Sequence, residues 1–230
     1  MNNKNYGLIL EPLVETDWLF KSSGLGQIVR RPDGNWSDFL PTFEKQRRGD
    51  ADKYACVAFS ALNTLETEFR YQIDNKLINQ DDLNWLKSKG YFDENGYPDF
   101  NDAYIATLSG TTRSGNTPKR VAQAIHEYGL VPESLRPYRK AMSWNEFYSK
   151  NWITKEVKDL GQEFLKRFPI NYEFVNGGKK EYDEARKYNP LQVFVYAWNG
   201  MKNGVYVRVN FVHNHAVLNH NTNQIFDSYE

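Results

Sequence analysis

Cys56 is the side chain best suited to nucleophilic chemistry in this sequence, and it is the single cysteine among 230 residues. Taken alone, a free cysteine more often packs in a core than reacts, because it behaves as a small apolar group. The stretch KYACVAFSALNTLE, however, predicts the start of a helix at this cysteine. A helix N-terminus favours a thiolate through its unpaired N–H groups and its dipole. Packing and nucleophilic chemistry are therefore both open at this position.

A thiolate needs a base, and the chain has 4 histidines to supply one. His126 falls inside a predicted helix, where we expect a structural or exposed role. His215 opens the predicted strand HAVLNH, with His213 two positions earlier on the same side and His220 closing the strand at the surface. Cys56 and two of these imidazoles would formally suffice for zinc, which needs three or four protein ligands. We favour acid–base chemistry and expect neither a metal nor another cofactor.

One long helix is predicted to carry Cys56. From about 54 to 71, apolar residues recur at helical spacing, and neither proline nor glycine interrupts them. Asp50 or Asp52 is expected to cap the start of this helix, because a short acidic side chain can accept from the first free N–H groups. The apolar residues cover much of the circumference of its first half, which predicts a buried segment.

Shorter helices are predicted near 81–88, 101–108 and 118–128. The last has a threonine before its first proline and a glycine behind it, which is the usual order of a cap, a first residue and a stop. Residues 154–168 are ambiguous, since a glycine lies in the middle of an otherwise helical pattern.

After Asn189 the sequence becomes rich in β-branched and aromatic residues. Strands are predicted at 190–198, 204–212, 215–220 and 224–229, separated by turn-forming residues. Helices followed by strands predict an α+β fold, with a helical part over about 50–150 and a β-rich part over about 185–230. A cleft between these parts is where we expect a site.

The domain organisation follows from the turn signals. Residues 1–40 contain many of them and are expected to form an irregular arm, wrapped on the body by its aromatic side chains. Residues 41–230 are expected to form one domain. The only apolar run near the start is Leu8 to Leu10, which is too short for a signal peptide or a membrane span.

The charge balance and the cysteine count exclude some classes of function. Lys plus Arg and Asp plus Glu both number 29, so the formal net charge is zero, and we expect no nucleic-acid partner. One cysteine allows no internal disulfide, which favours a reducing compartment. We expect a cytoplasmic or virion-associated protein that is not exported through a signal peptide and has no membrane partner. The totals leave the oligomeric state open.

Five stretches, in order along the chain, resemble the papain family of cysteine peptidases. ACVAFSALNTLE is similar to the segment in which the nucleophilic cysteine opens the central helix. SGNTPKRVAQAIHEYGLVPESLRPY is similar to the glycine-containing substrate segment and the helix after it, and NPLQVFVYAW to a strand that follows Gly-Pro-Val. NHAVL and FDSY are similar to the histidine strand and the Asn-Ser-Trp-Gly signature. The resemblance covers about 41–229 and implies a papain-like fold, with the central helix packed against a C-terminal antiparallel sheet.

The resemblance also implies a reaction, namely cleavage of peptide bonds in a peptide or protein substrate through an acyl-enzyme thioester. It implies these roles: Cys56 as nucleophile, His215 as base, Asp227 as the group that orients the imidazole, Gln46 as an oxyanion donor beside the Cys56 N–H, and Gly115 and Asn116 as backbone that pairs with an extended peptide.

The sequence departs from the family pattern at several points. Asp227 stands where the family usually has asparagine, and Val57 where it has an aromatic residue. Gln46 lies ten residues before Cys56, which is farther than in the family, so the loop RRGDADKYA must fold back. No propeptide of normal length precedes the domain, and the chain ends at Glu230, where the family has further strands. A shortened chain or a differently closed fold is therefore expected.

Two alternatives to a papain-like peptidase stay open. One is a papain-like fold without activity, used as a virion or binding component, which the departures at Val57 and Glu230 keep open. Separately, a short arm with RPDGNW and LPTFEKQ ahead of a disulfide-free papain-like core resembles phage-encoded proteins. The other is a Cys-His peptidoglycan hydrolase of the CHAP or NlpC type. The long helical stretch between Ser88 and Arg186 disfavours the latter, because those domains place the histidine sooner.

Overall fold

The computed structural model describes residues 6–21, 28–48, 52–138, 142–203, 205–208 and 214–229. Its helices are α1 (Cys56–Asp74), α2 (Gln80–Ser88), α3 (Asp102–Leu108), α4 (Pro118–Tyr128), α5 (Trp144–Phe147), α6 (Lys155–Arg167) and α7 (Lys179–Ala185). Its strands are β1 (Leu191–Val195), β2 (Trp198–Lys202), β3 (Val205–Arg208), β4 (His215–Asn221) and β5 (Gln224–Phe226). The fold is thus a mixture of helices with small antiparallel sheets, as the α+β prediction states.

Helix α1 is the central element, and most of its first half is buried. It begins two residues later than predicted, and the predicted side-chain cap is wrong. The N-cap is Ala55, which supplies no side-chain hydrogen bond. Asp52 instead accepts a hydrogen bond from the Tyr54 N–H at 2.9 Å, and Asp50 lies outside the described residues. This hydrogen bond holds the Asp52 carboxylate against the backbone just before the start of α1.

Helix α4 confirms its sequence signals. The side chain of Thr117 accepts from the Arg120 N–H at 3.3 Å, and Gly129 ends the helix with φ +71°. The ambiguous segment at 154–168 is also a helix, α6, with Gly161 buried inside it.

The sheet that carries the histidine has the order β1–β4–β5, with both neighbours antiparallel to β4. Val195 pairs with His215 at the start of β4, and the strand packs against α1. A separate hairpin pairs β2 with β3, so the predicted strand at 190–198 is divided between two sheets. The first residue of β4 consequently lies beside the first turn of α1.

Aromatic side chains fill the core between the helices. Phe69 of α1 lies 5.4 Å from Phe100 and 5.5 Å from Phe164 of α6, measured between ring centroids. Trp36 of the N-terminal region is fully buried and donates its indole N–H to the Arg186 carbonyl at 2.7 Å. Within the described ranges, no helix has the length and apolar character that crossing a membrane requires.

Candidate active site

Cys56 is the first residue of α1, and its side chain is fully buried. The N–H groups of Ala216 and Val57 donate to the sulfur and favour a thiolate. Burial outweighs them and raises the pKa of the thiol far above its usual range, with a smaller contribution from the charges of Asp227 and Asp52. Burial thus opposes the thiolate that the helix dipole alone favours.

His215 and Asp227 form a buried pair. His215 Nε2 lies 2.7 Å from Asp227 Oδ1, and the two side chains are 1% and 2% exposed. The same Oδ1 accepts the Tyr229 N–H at 3.1 Å. Because Nε2 is bound to the carboxylate, Nδ1 is the nitrogen through which the ring would exchange a proton with a thiol.

Two tyrosine rings enclose the imidazole. The centroid of the Tyr229 ring lies 5.1 Å from that of His215, and the Tyr6 ring lies 5.4 Å away. The two tyrosines also contact each other edge to face at 5.3 Å. These rings keep water from the His215–Asp227 pair, and one of them comes from the N-terminal region.

Gln46, predicted as the oxyanion donor, is fully buried within a hydrogen-bond network. Its N–H donates to the Ser228 carbonyl at 3.0 Å, which joins the loop before α1 to the segment that carries Asp227. Its Nε2 donates to Asp52 Oδ1 at 3.2 Å and to the Tyr229 hydroxyl, while Tyr229 donates to Asp52 Oδ2 at 2.6 Å. Asp52 therefore joins Gln46 to Tyr229, while residues 49–51 of the predicted loop lie outside the described residues.

The predicted peptide-binding segment is already occupied by the chain's own N-terminal region. We call residues 6–21 the strap. Leu8 forms a parallel bridge with Asn116; the Ile9 N–H donates to the Asn116 carbonyl at 2.8 Å, and the Asn116 N–H to the Gly7 carbonyl at 2.9 Å. Tyr6 and Leu8 are two residues apart, about 7 Å at most. The strap therefore brings the segment at 115–116 to the same place as His215.

Close backbone contacts hold this end of the strap. A Cβ on Gly115 would lie 2.1 Å from the Gly7 carbonyl oxygen, and a Cβ on Gly7 would lie 2.3 Å from that of Tyr54. Both glycines have positive φ, +98° and +106°. Farther along, Lys119 binds Asp17 at 2.5 Å. Glycine is thus required on both sides of the contact.

A cavity of about 490 Å³ lies between α1, α4, β1 and the segment 170–175. Apolar side chains such as Leu65, Ile125 and Phe194 line most of it, together with the ion pair of Arg30 and Glu68. Pro118 also lines the cavity and is two residues from Asn116, so the cavity wall continues from the segment that the strap occupies.

The chain was compared with protein families, curated proteins and solved structures. No protein family matches the sequence, and no curated protein is similar to it. Among solved structures, the chain is similar to the proform of Amb a 11, a cysteine protease and major ragweed pollen allergen, with a TM-score of 0.44 and 15% sequence identity. The similarity covers 83% of this chain and 51% of that one, so the chain spans about half of the solved structure's length.

The remaining histidines lie away from Cys56 or outside the described residues. His126 Nδ1 bonds the Ile170 carbonyl at 2.9 Å, which is the structural role predicted for it. The surface position predicted for His220 is wrong, because the ring is buried, bonds Ser37 at 3.0 Å and has a pKa lowered by that burial. His213 lies outside the described residues. In the described part of the chain, no group of three or more metal-binding side chains is arranged to hold an ion.

Sequence reasoning missed two contributors to this site. Asp52 had a local signal, since an acidic residue before a helix is a common cap. Its hydrogen bonds to Gln46 and Tyr229 had none, because no sequence pattern links Asp52 to Gln46 and Tyr229 is distant in sequence. Tyr6 lies in a turn-rich arm with no periodicity. The glycine at position 7, followed by a short apolar run, was the one available indication of a close backbone contact.

Proposed function

We propose that this protein is a thiol-dependent hydrolase that cleaves peptide bonds by a papain-like Cys-His-Asp mechanism. The observation that carries the proposal is the buried His215–Asp227 hydrogen bond of 2.7 Å at the strand that packs against the Cys56 helix start. A carboxylate on one ring nitrogen fixes the tautomer and directs the other nitrogen to a nucleophile. A buried histidine with a purely packing role does not need a buried carboxylate partner.

The reaction would proceed by acyl transfer. His215 takes the thiol proton, and the Cys56 sulfur attacks the amide carbonyl carbon to form a C–S bond. The imidazolium then protonates the departing amine as the C–N bond breaks, and water, deprotonated by His215, hydrolyses the thioester. The Cys56 N–H and Gln46 Nε2 would donate to the oxyanion, and Asn116 would pair with the peptide backbone in place of the strap.

The cavity supports a substrate with a bulky apolar side chain. Its apolar lining begins at Pro118, next to the segment proposed to bind the peptide. About 490 Å³ is large enough for one aromatic side chain and several waters.

Alkylation by iodoacetamide, followed by intact mass, tests the Cys–His pair. We expect one adduct, and we expect His215→Ala to slow alkylation at pH 7 by at least about tenfold, since the thiol is protonated at this pH and needs the imidazole as its base. Hydrolysis of a fluorogenic peptide library then tests the reaction, with Cys56→Ser as control. Equal alkylation of the parent and His215→Ala at pH 7 would contradict the proposal.

A second candidate is a papain-like fold without activity that serves as a virion or binding component. The full burial and raised pKa of the Cys56 thiol favour it, since both suppress nucleophilicity. This candidate would be supported if Cys56 stayed unreactive in a variant designed to displace the strap, such as Gly7→Ala, and reacted only in denaturant. Clearing of a peptidoglycan zymogram by the protein would instead support a cell-wall hydrolase.

A further inference from the structure

The buried amide of Gln46 has one orientation that the proposed reaction requires and one that it cannot use. Its main chain is fixed, because the N–H donates to Ser228 at 3.0 Å and the carbonyl accepts the Tyr138 hydroxyl at 2.8 Å. The remaining freedom is a rotation of the terminal amide that exchanges Nε2 and Oε1. Only Nε2 can donate to an oxyanion, whereas Oε1 would repel it.

Asp52 and the Tyr229 hydroxyl select the useful orientation. Asp52 Oδ1 accepts from Gln46 Nε2 at 3.2 Å, and Oδ2 accepts from the Tyr229 hydroxyl at 2.6 Å. The Tyr229 hydroxyl also accepts from Nε2. An ionised carboxylate can only accept, so it faces the amide's N–H groups and excludes its carbonyl oxygen. Ser228 Oγ donates to Oε1 at 3.3 Å from the other side and favours the same orientation.

The negative charge of Asp52 disfavours the Cys56 thiolate that the proposed reaction needs. Another role must therefore account for its position. After burial and Asp227, its negative charge is the next cause that raises the pKa of the Cys56 thiol. The position of this carboxylate beside the thiol is explained if its hydrogen bonds orient the Gln46 amide. Both of its oxygens are used, and the Tyr54 N–H, at 2.9 Å from Oδ1, fixes the carboxylate four residues before the nucleophile.

We propose that Asp52 and the Tyr229 hydroxyl are positioning residues that hold Gln46 Nε2, rather than Oε1, toward the oxyanion of the acylation step. This inference rests on the proposed function. The 3.2 Å bond from Nε2 to Asp52 is the longer of the two amide contacts, and it is the one that an oxyanion would replace. The Tyr229 hydroxyl keeps the other N–H in place while its ring stays against His215.

The test compares two reactions of Cys56 in the full chain. Iodoacetamide alkylation needs the nucleophile and no oxyanion donor, whereas acylation by p-nitrophenyl acetate needs both. We expect Tyr229→Phe to lower acylation about tenfold with little change in alkylation, less than the 10²–10³ cost of deleting an oxyanion donor. For Asp52→Asn we expect the alkylation pH profile to move to lower pH while acylation falls. Damage to the fold would change both reactions in the same direction.

Tyr138→Phe is the matched control, because its hydroxyl binds the main chain of the same glutamine. It should leave the ratio of acylation to alkylation unchanged. A ratio that stays at the parent value in Tyr229→Phe and Asp52→Asn would overturn the inference.

An NMR measurement separates failure of this inference from failure of the proposed function. The Gln46 side-chain NH₂, assigned by its loss in Gln46→Glu, should show two resolved, slowly exchanging resonances in the parent. They should broaden or exchange rapidly in Asp52→Asn. Unchanged resonances would overturn the positioning role, whether or not the protein acylates. A parent that alkylates but never acylates would contradict the proposed function, and the resonances would still decide the orientation of the amide.

Discussion

At the residue scale, the identity of the group that orients His215 has a chemical consequence. Asp227 Oδ1 accepts both the imidazole at 2.7 Å and the Tyr229 N–H at 3.1 Å. The backbone N–H at this oxygen requires an acceptor there whatever the side chain is. An asparagine at 227 would therefore place its carbonyl oxygen, and not its NH₂, against the imidazole.

Asp227→Asn should accordingly retain function where Asp227→Ala does not. We expect the asparagine variant to keep kcat/KM within about tenfold of the parent, since the tautomer and ring orientation persist, and the alanine variant to lose on the order of 100-fold or more. The rate of peptide hydrolysis by each variant checks this. Equal losses in the two variants would show that the charge of Asp227, rather than its acceptor geometry, is required.

At this scale, contacts between residues close in sequence could be predicted, whereas contacts between residues far apart in sequence could not. His215 and Asp227 were paired from two motifs in one C-terminal segment, and they do bond. The partners of Asp52 and His220 were not predicted, because Tyr229 lies 177 residues from Asp52 and Ser37 lies 183 residues from His220. The full burial of Cys56 was also not predictable, since its sulfur accepts a hydrogen bond from Ala216 of β4, which is distant in sequence.

At the scale of elements, the strap occupies the backbone groups that the proposed function assigns to a bound peptide. The strap uses the N–H and the carbonyl of Asn116, which are the groups proposed to pair with substrate. It also places Tyr6 on the His215 ring. Under the proposed function, residues 6–9 would therefore have to leave Asn116 before a peptide could bind there.

Gly7→Ala should displace the strap. Its Cβ would meet the Tyr54 carbonyl oxygen at 2.3 Å, and its φ of +106° is strained for alanine. We expect iodoacetamide to alkylate Cys56 at least about tenfold faster in this variant, because a fully buried thiol becomes accessible. Gly96→Ala is the matched control, since that glycine also has positive φ (+78°) but nothing lies within 4 Å of the added Cβ. Equal alkylation rates in the parent and Gly7→Ala would contradict a closing role for the strap.

Helix α6 shows why one element could not be read from sequence. A glycine in the middle of a helix is unfavourable, yet a Cβ on Gly161 would lie 2.2 Å from the Tyr128 carbonyl oxygen. Likewise, a Cβ on Gly129 would lie 1.9 Å from the Gly161 carbonyl oxygen. The glycine is there because the end of α4 crosses α6 backbone to backbone, which is a tertiary requirement that local propensity cannot report.

Gly161→Ala should therefore destabilise the protein, although helix propensity alone predicts a gain of about 1 kcal/mol. The added methyl group forces two helices apart, which typically costs about 1–3 kcal/mol in a packed core. Urea unfolding of the parent and the variant measures the change. Lys158→Ala, at an exposed position of the same helix, should be close to neutral. A stabilised Gly161→Ala would show that the two helices do not touch here in solution.

At the scale of the whole molecule, acidic and basic residues are equal in number but unevenly distributed in space. The 29 acidic and 29 basic residues gave no indication that several carboxyl groups share one buried region. These groups are Glu66, Asp99, Asp102 and Glu133, with Glu44 and Arg48 beside them. They come from α1, the start of α3 and two loops, so only the tertiary fold brings them together. Helices α1 to α4 and most strands were predicted from sequence patterns, α6 was left ambiguous, and α5 and α7 were not predicted. The acidic cluster had no sequence signal at all.

The acidic cluster makes the stability of the protein depend on pH in a definite direction. Burial is the main cause that raises the pKa of Asp99 to about 7 and that of Glu133 to about 9, and neighbouring carboxylates add to it. Since the unfolded values are near 4, the folded state binds more protons than the unfolded state between pH 4 and these values. The stabilisation is therefore complete below about pH 4 and is lost as pH rises through the folded pKa values.

We expect the free energy of unfolding to fall by at least about 2 kcal/mol between pH 5 and pH 8, because each pKa unit corresponds to about 1.4 kcal/mol and Asp99 alone titrates across two of them. Urea unfolding across this range measures the slope. Glu133→Gln should reduce it, since the amide keeps an acceptor for the Tyr138 N–H and removes one titrating group. Glu94→Gln, at an exposed turn position, should leave the slope unchanged. A stability that rises from pH 5 to pH 8 would mean that these carboxyl groups are solvated or paired with cations in solution, and that the packing between α1 and α3 differs from the structure described here.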